Sequence, residues 1–334
     1  MLSPATLAAA ALLSASAVAA AFATATPPVP AAPEASAPQE IPASLTWRVE
    51  RAGQDAPLGA VQFLIGYETP HHSSMNGEVI PLAQLDGLTA AQLAAAGQPV
   101  SFVLRHDAGD FRCTGVAGQG AGVGSCVYAA NPAFPAALAK RGVGAPTAFQ
   151  QFQLAMSDLG LAYVDELKRQ AYQTPTADDL VRAATHGAGL RQLRAMDAAG
   201  YRFGSVATLV RMRDHGVSAR YVEALKADGY AGLPADELQR LRDHGVSAAY
   251  IGDLRGHGYT HINPEDLVRM RDHGVSASFI GDLAALGYPR LSTEDLVKLR
   301  DRGVSAGFIR TADQGGKMLT VEELIRLREG RGAQ

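Results

Sequence analysis

Three stretches of this chain place an aspartate directly before a histidine. "RMRDHGVSA" fills residues 211–219 and again 269–277, and "RLRDHGVSA" fills 240–248. Such a pair is raw material for general acid–base catalysis, because a carboxylate can orient an imidazole and steady its charged form. An active site needs that pair once, however, and recurrence at fixed spacing belongs to repeated architecture. Neighbouring residues on a helix also project about 100° apart, so Asp214 and His215 cannot hydrogen-bond each other within one helix. A second group with possible chemistry is His71, His72, His106 and Asp107. Adjacent histidines on extended chain face opposite ways and do not easily share a metal, so "HHSS" at 71–74 reads first as a polar loop. Glycines 118, 120, 122 and 124 match neither nucleotide template: G-x-G-x-x-G fails at 123 and 125, and no G-K-[ST] follows.

The elements that position the Asp–His pairs follow from the repeat. Gly187, Gly216, Gly245, Gly274 and Gly303 stand 29 residues apart, as do Tyr172, Tyr201, Tyr230, Tyr259 and Tyr288. Each interval has room for two short helices. Ser205 is placed to cap the first, with Gly216 ending it as a left-handed C′ residue and Met212 meeting Val217 in a Schellman contact. Ser218 caps the second, which Gly229 closes. His186, His215, His244 and His273 then fall at C-caps, where the helix dipole favours a cation, and Arg302 takes that place in the fifth unit. The same dipole disfavours Asp214, Asp243, Asp272 and Asp301, which therefore need cationic partners. Arg211, Arg240, Arg269 and Lys298, one turn earlier, are the local candidates, with the next unit as another source. Stacked in register, these charges would form a ridge able to bind a partner, or a solvated face closed by internal ion pairs. Helices of about ten residues do not persist alone in water, so the units must stack into one array. A half-unit opens it at 160–172 and another closes it at 320–330. Pro234 interrupts the run of capping residues.

Before the repeat the period is two. Leu45, Trp47 and Val49 alternate with polar residues, as do Val61, Phe63, Ile65 and Tyr67, and Val100, Phe102 and Leu104. Thr89 and Gln92 form a capping box for a short helix running up to Gly97, and a second helix follows Asn131-Pro132. The segment "DFRCTGVAGQGAGVGSCVYA" predicts a hairpin around Gln119-Gly120, pairing Gly118 with Ala121, Cys113 with Cys126 and Phe111 with Tyr128. Directly opposed cysteines on one face are within disulfide reach. The fold class is therefore α+β in two parts: an antiparallel β-rich domain over 45–145 and an α-helical, solenoid-like repeat domain over 146–334.

The formal charge of −3 lacks the basic excess that nucleic-acid binding requires. Leu7–Ala23 is a short apolar run ending in A-x-A sites, which predicts a signal peptide over 1–25 even though no Lys or Arg precedes it; a retained anchor is the rival reading. Residues 26–44 are a Pro/Ala-rich linker. Export places the chain in the periplasm or outside the cell, with no stable membrane span after cleavage, and in an oxidising compartment.

The units "LVRMRDHGVSASFIGDLAALGY" and "LQRLRDHGVSAAYIGDLRGHGY" resemble tandem repeats of uncharacterised exported bacterial proteins. Similar repeats occur as tails of membrane metallopeptidases of the β-lactam-sensor type. The resemblance covers about 160–330 and brings no activity with it, since the H-E-x-x-H of those peptidases is absent here. Together these readings lead to a non-enzymatic envelope protein that binds another envelope protein through its repeats, with no cofactor. The alternatives are an accessory of an envelope sensor or peptidase system, and a hydrolase or ligand-binding β-domain using the histidines near its turns.

Overall fold

The structure, a computed structural model, describes residues 40–69, 72–312 and 318–331. The expected signal peptide and most of the expected linker lie outside these residues, as does His71. The architecture is α+β, a seven-stranded antiparallel sheet followed by helices.

The strands are β1 (Leu45–Arg51), β2 (Ala60–Thr69), β3 (His72–Pro81), β4 (Leu85–Asp86), β5 (Gln98–His106), β6 (Gly109–Gly118) and β7 (Ala121–Ala130), in the order β3-β2-β1-β7-β6-β5-β4. The alternating residues of β1, β2 and β5 fill one buried face. The β6–β7 hairpin has the expected register, with Cys113 opposite Cys126 and Phe111 opposite Tyr128. Gln119 and Gly120 both have positive φ, as a two-residue primed turn requires. Cys113 and Cys126 are joined by a disulfide, their Cα atoms 4.0 Å apart.

The glycines of this hairpin seat the single tryptophan. Trp47 donates its indole N–H to Thr114 O at 3.1 Å and meets Phe102 edge-on with ring centroids 4.9 Å apart. A Cβ on Gly124 would lie 2.1 Å from Thr114 O and 2.7 Å from the Trp47 ring nitrogen, and one on Gly115 would collide with the same ring. Absence of a side chain is what these positions supply.

Strand β3 corrects the polar-loop reading of 71–74, since His72, Ser73 and Ser74 already pair with Thr69, Glu68 and Tyr67 of β2. Its sequence lacks apolar alternation because it is an edge strand with little buried surface, and edge strands pair through backbone regardless of side chain. The short helix α1 (Ala90–Ala94) has the Thr89–Gln92 capping box but ends three residues before the expected stop at Gly97, and α2 (Phe134–Ala139) follows Asn131-Pro132.

The remaining helices are α3 (Ala148–Met156), α4 (Leu161–Arg169), α5 (Ala177–Thr185), α6 (Leu190–Ala198), α7 (Val206–Asp214), α8 (Ala219–Ala227), α9 (Ala235–Asp243), α10 (Ala248–Gly256), α11 (Pro264–Asp272), α12 (Ala277–Ala285), α13 (Thr293–Asp301), α14 (Ala306–Ala312) and α15 (Val321–Arg331). From α3 onward each contacts the helix two places along, so odd-numbered helices form one row and even-numbered helices another. Thr176, Ser205, Ser218, Ser247, Asn263, Ser276 and Ser292 each accept the N3 amide as caps. Pro234 holds the cap position of α9 with no side-chain bond, and Asp236 and Glu237 occupy its first turn. The recurring tyrosines tie one unit to the next. Tyr230, Tyr259 and Tyr288 donate to Ile262 O, Leu291 O and Leu319 O, each at 2.7 Å. Tyr221 and Tyr250 donate to Val246 O and Val275 O, and burial pushes both phenols up to about 12.

Helix α3 was missed in the sequence, which placed the opening half-unit at 160–172. It carries none of the repeat letters, yet it stands first in the odd row and seats that row on β6 and β7. Buried Gln151 donates to Ala108 O at 2.7 Å and to Asn131 O at 2.8 Å, and Asn76 of β3 donates to Met156 O at 2.8 Å. Sheet and helices share one continuous apolar core.

Candidate functional site

The two residue groups singled out for chemistry serve different ends. His106 donates through Nδ1 to Ala155 O at 2.6 Å, its Nε2 lies 3.7 Å from Asp158, and Asp107 accepts the Leu161 amide at 2.8 Å. Both residues thus hold the β5–β6 turn against α3 and α4. Asp158, with φ of 46°, has its carboxyl pushed up, mainly by burial and against the pull of His106. A cleft lies beside the sheet. It encloses about 250 Å³, and of its lining residues, which include Ala60, Leu82 and Leu93, Arg51 alone is charged.

In the helical part the C-caps are His186, His215, His244 and His273, with Arg302 in the fifth unit. Each histidine reaches forward to the aspartate of the following unit. His186 Nδ1 lies 2.8 Å from Asp214, His215 2.6 Å from Asp243, His244 2.8 Å from Asp272 and His273 2.6 Å from Asp301. Arg302 continues the series with Glu329 at 2.7 Å. The Asp–His pair of the sequence is therefore a contact between consecutive units, 28 residues apart along the chain.

The pairing within each helix differs from the expected local one. Asp214, Asp243, Asp272 and Asp301 are paired with histidine rather than with Arg211, Arg240, Arg269 and Lys298. Those cations take carboxylates of helix first turns: Arg211 binds Asp236 at 2.7 Å, Arg240 binds Glu237 and Glu265, Arg269 binds Asp266 and Lys298 binds Glu294. The reason is geometric. Stacking in the odd row brings the C-cap of one helix beside the last turn of the next and sets Arg211 and Arg240 beside its first turn, while Arg269 and Lys298 fold back on the first turn of their own helices.

An imidazole held at Nδ1 by a carboxylate, with Nε2 free, is the orientation a catalytic base needs. Four partly exposed copies are present. Catalysis also needs a nucleophile or reacting group at Nε2; among the described residues, His215 has the Gln239 amide there at 3.2 Å. Gln239 also donates to Asp243 at 3.2 Å. With an amide N–H directed at Nε2 and a carboxylate at Nδ1, this rung suits the neutral tautomer protonated at Nδ1. Among the described residues no group of three His, Cys, Asp or Glu side chains could hold a metal ion. No described helix is long and apolar enough to cross a membrane.

A rung of this kind is a modest clasp. The hydrogen bond from His215 holds the Asp243 carboxyl below the usual range. Its contribution is therefore complete above ordinary carboxylate pKa values and is lost as pH falls below them through the depressed value of Asp243. A double-mutant cycle of His215→Ala and Asp243→Ala should give a coupling of about 0.5 kcal/mol at neutral pH, shrinking at pH near 3. A coupling several times larger, measured by urea unfolding, would mean that the pair is a principal fastener of the array.

A second series of cations follows the first by two residues. The guanidiniums of Arg242, Arg271, Arg300 and Arg328 lie 4.9, 4.8, 5.1 and 5.4 Å from the ring centroids of Tyr221, Tyr250, Phe279 and Phe308. Each is also set over the left-handed glycine of the previous unit. A Cβ on Gly216 would come within 2.9 Å of Arg242 Nη2, and those on Gly245, Gly274 and Gly303 would meet Arg271, Arg300 and Arg328 at 3.2–3.6 Å. Arg213 stands likewise over Gly187, although Gln192 there replaces the aromatic residue. Nothing local in the sequence marks these arginines, because an aromatic residue 20 or 21 positions earlier is not a chain neighbour.

No protein-family model matches the chain, and no curated protein or solved structure matches it either.

Proposed function

We propose that this chain is a non-enzymatic exported protein of the bacterial envelope, whose two rows of helices form a solenoid that binds a partner protein. The observation that carries the reading is the repetition of exposed side chains in register along the array. Arg220, Ala249 and Ser278 occupy the same place in α8, α10 and α12, and all three are exposed. A surface that repeats in this way is extended, and extended surfaces of stacked units suit large partners. The candidate catalytic groups support the same reading by their engagement, since His106 and Asp107 fasten the sheet to the helices and the repeated histidines fasten unit to unit. The disulfide fits an oxidising compartment.

Photocrosslinking in the native envelope tests this. A photoreactive residue at position 220, 249 or 278 should capture one defined protein, and the same residue at Val116 or Val123, exposed on the outer face of the sheet, should not. Capture from the sheet positions alone would move the binding function to the β-domain and overturn the proposal.

A further inference from the structure

We infer that Arg213, Arg242, Arg271, Arg300 and Arg328 form a row of receptors for carboxylates, and that the segment it receives is an acidic, extended peptide with Asp or Glu at every third residue. The inference rests on the protein-binding reading above and names the chemistry of its partner.

Three observations carry it. These arginines are uncompensated: among the described residues none has a carboxylate within ion-pair distance, whereas Arg211, Arg240, Arg269 and Lys298 on the same helices all do. The neighbouring Asp214, Asp243, Asp272 and Asp301 are occupied by the histidines of the preceding units. They are also held in place, four of the five by an aromatic face on one side and all by a glycine that leaves space beside them. A guanidinium fixed in this way loses less freedom when it binds, and its planar fork matches a carboxylate in a bidentate manner. Finally, they recur once per unit, at intervals of 29 residues and a last interval of 28.

Spacing selects the ligand. Helices packed side by side in a row stand about 10 Å apart. A polyproline II chain advances ~3.1 Å per residue with three residues per turn, so every third side chain lies on one face, ~9.3 Å from the next. Carboxylates at that interval would meet one guanidinium each. A densely charged polyanion fits less well, because the row is not a continuous cationic strip. An aspartate follows each of Arg213, Arg242, Arg271 and Arg300 in the sequence, and a uniform run of negative charge would meet those carboxylates between the arginines. Isolated acids separated by two neutral residues avoid them.

The test uses the full chain and a labelled peptide of five Pro-Ala-Glu repeats, with binding followed by fluorescence anisotropy. The peptide should bind, and the Glu→Gln version should bind at least about tenfold more weakly. A peptide of the same composition with its glutamates bunched together should lose a similar factor. The triple variant Arg242→Gln, Arg271→Gln, Arg300→Gln should lose binding while melting near the parent temperature. The triple variant Arg211→Gln, Arg240→Gln, Arg269→Gln should keep it. Equal binding of the bunched peptide would overturn the spacing argument, and tighter binding of heparin than of the Pro-Ala-Glu peptide would replace the peptide with a polyanion. No binding of any peptide would overturn the assignment outright. In that last case, a defined protein captured from positions 220, 249 and 278 would leave the broader proposal standing and remove only the arginine row.

Discussion

Removing the disulfide, by replacing Cys113 and Cys126 with alanine or by reduction, is expected to destabilise the sheet by about 3 kcal/mol. The bond closes a loop between residues separated by 13 positions, and the loss of that constraint on the unfolded chain accounts for most of the figure. The two cysteines are almost wholly buried, at 1% and 0% exposure, so alanine also leaves unfilled volume between β6 and β7. Trp47 reports on this region, because it is the one tryptophan in the chain and packs on Phe102 in the same core. In urea titrations, Trp47 emission should shift to a lower midpoint on reduction, with far-UV circular dichroism, dominated by the helices, moving less. An unchanged emission midpoint would show that the hairpin is held by its backbone register and the glycine seat of Trp47, without help from the covalent link.

Leu241→Ala should have an effect of comparable size in the other half, about 2–5 kcal/mol. Leu241 is fully buried in α9, and its carbonyl accepts the Val246 amide at 2.8 Å in the turn that closes the helix. Its helix contacts α7 and α11 along the row, so the cavity lies between three consecutive units. When each unit leans chiefly on its neighbours, weakening one of them divides the array rather than unfolding all of it at once. The expected result is a helical transition that broadens and moves to lower urea, while Trp47 emission holds near its original midpoint. Coincident loss of both signals would mean that the core shared by sheet and helices makes the chain one cooperative unit.

Local physics made much of this legible. The 29-residue period, the serine caps, the glycine stops and the primed turn at Gln119-Gly120 are decided by residues within a few positions of one another, so the sequence alone determines them. The Cys113–Cys126 pairing belongs with these, since a two-residue turn sets the register of every pair above it. Strand β3 and helix α3 were hidden for the opposite reason. Strand β3 is held by backbone pairing at a sheet edge, which leaves no periodic mark; α3 lacks the repeat letters and is seated by contacts to strands distant in sequence, and its one local sign is the Thr147–Gln150 capping box. The candidate site divides along the same line. That the three middle units carry His, Asp and two arginines near a helix end is a fact of sequence. Arg269 and Lys298 are consumed within their own helices, three and four residues away, whereas Arg211 and the histidines find their carboxylates 25 and 28 residues away once the helices stack. Only the tertiary structure could decide the pairs between units, because ion pairing is settled by distance in space and stacking sets residues of consecutive units side by side.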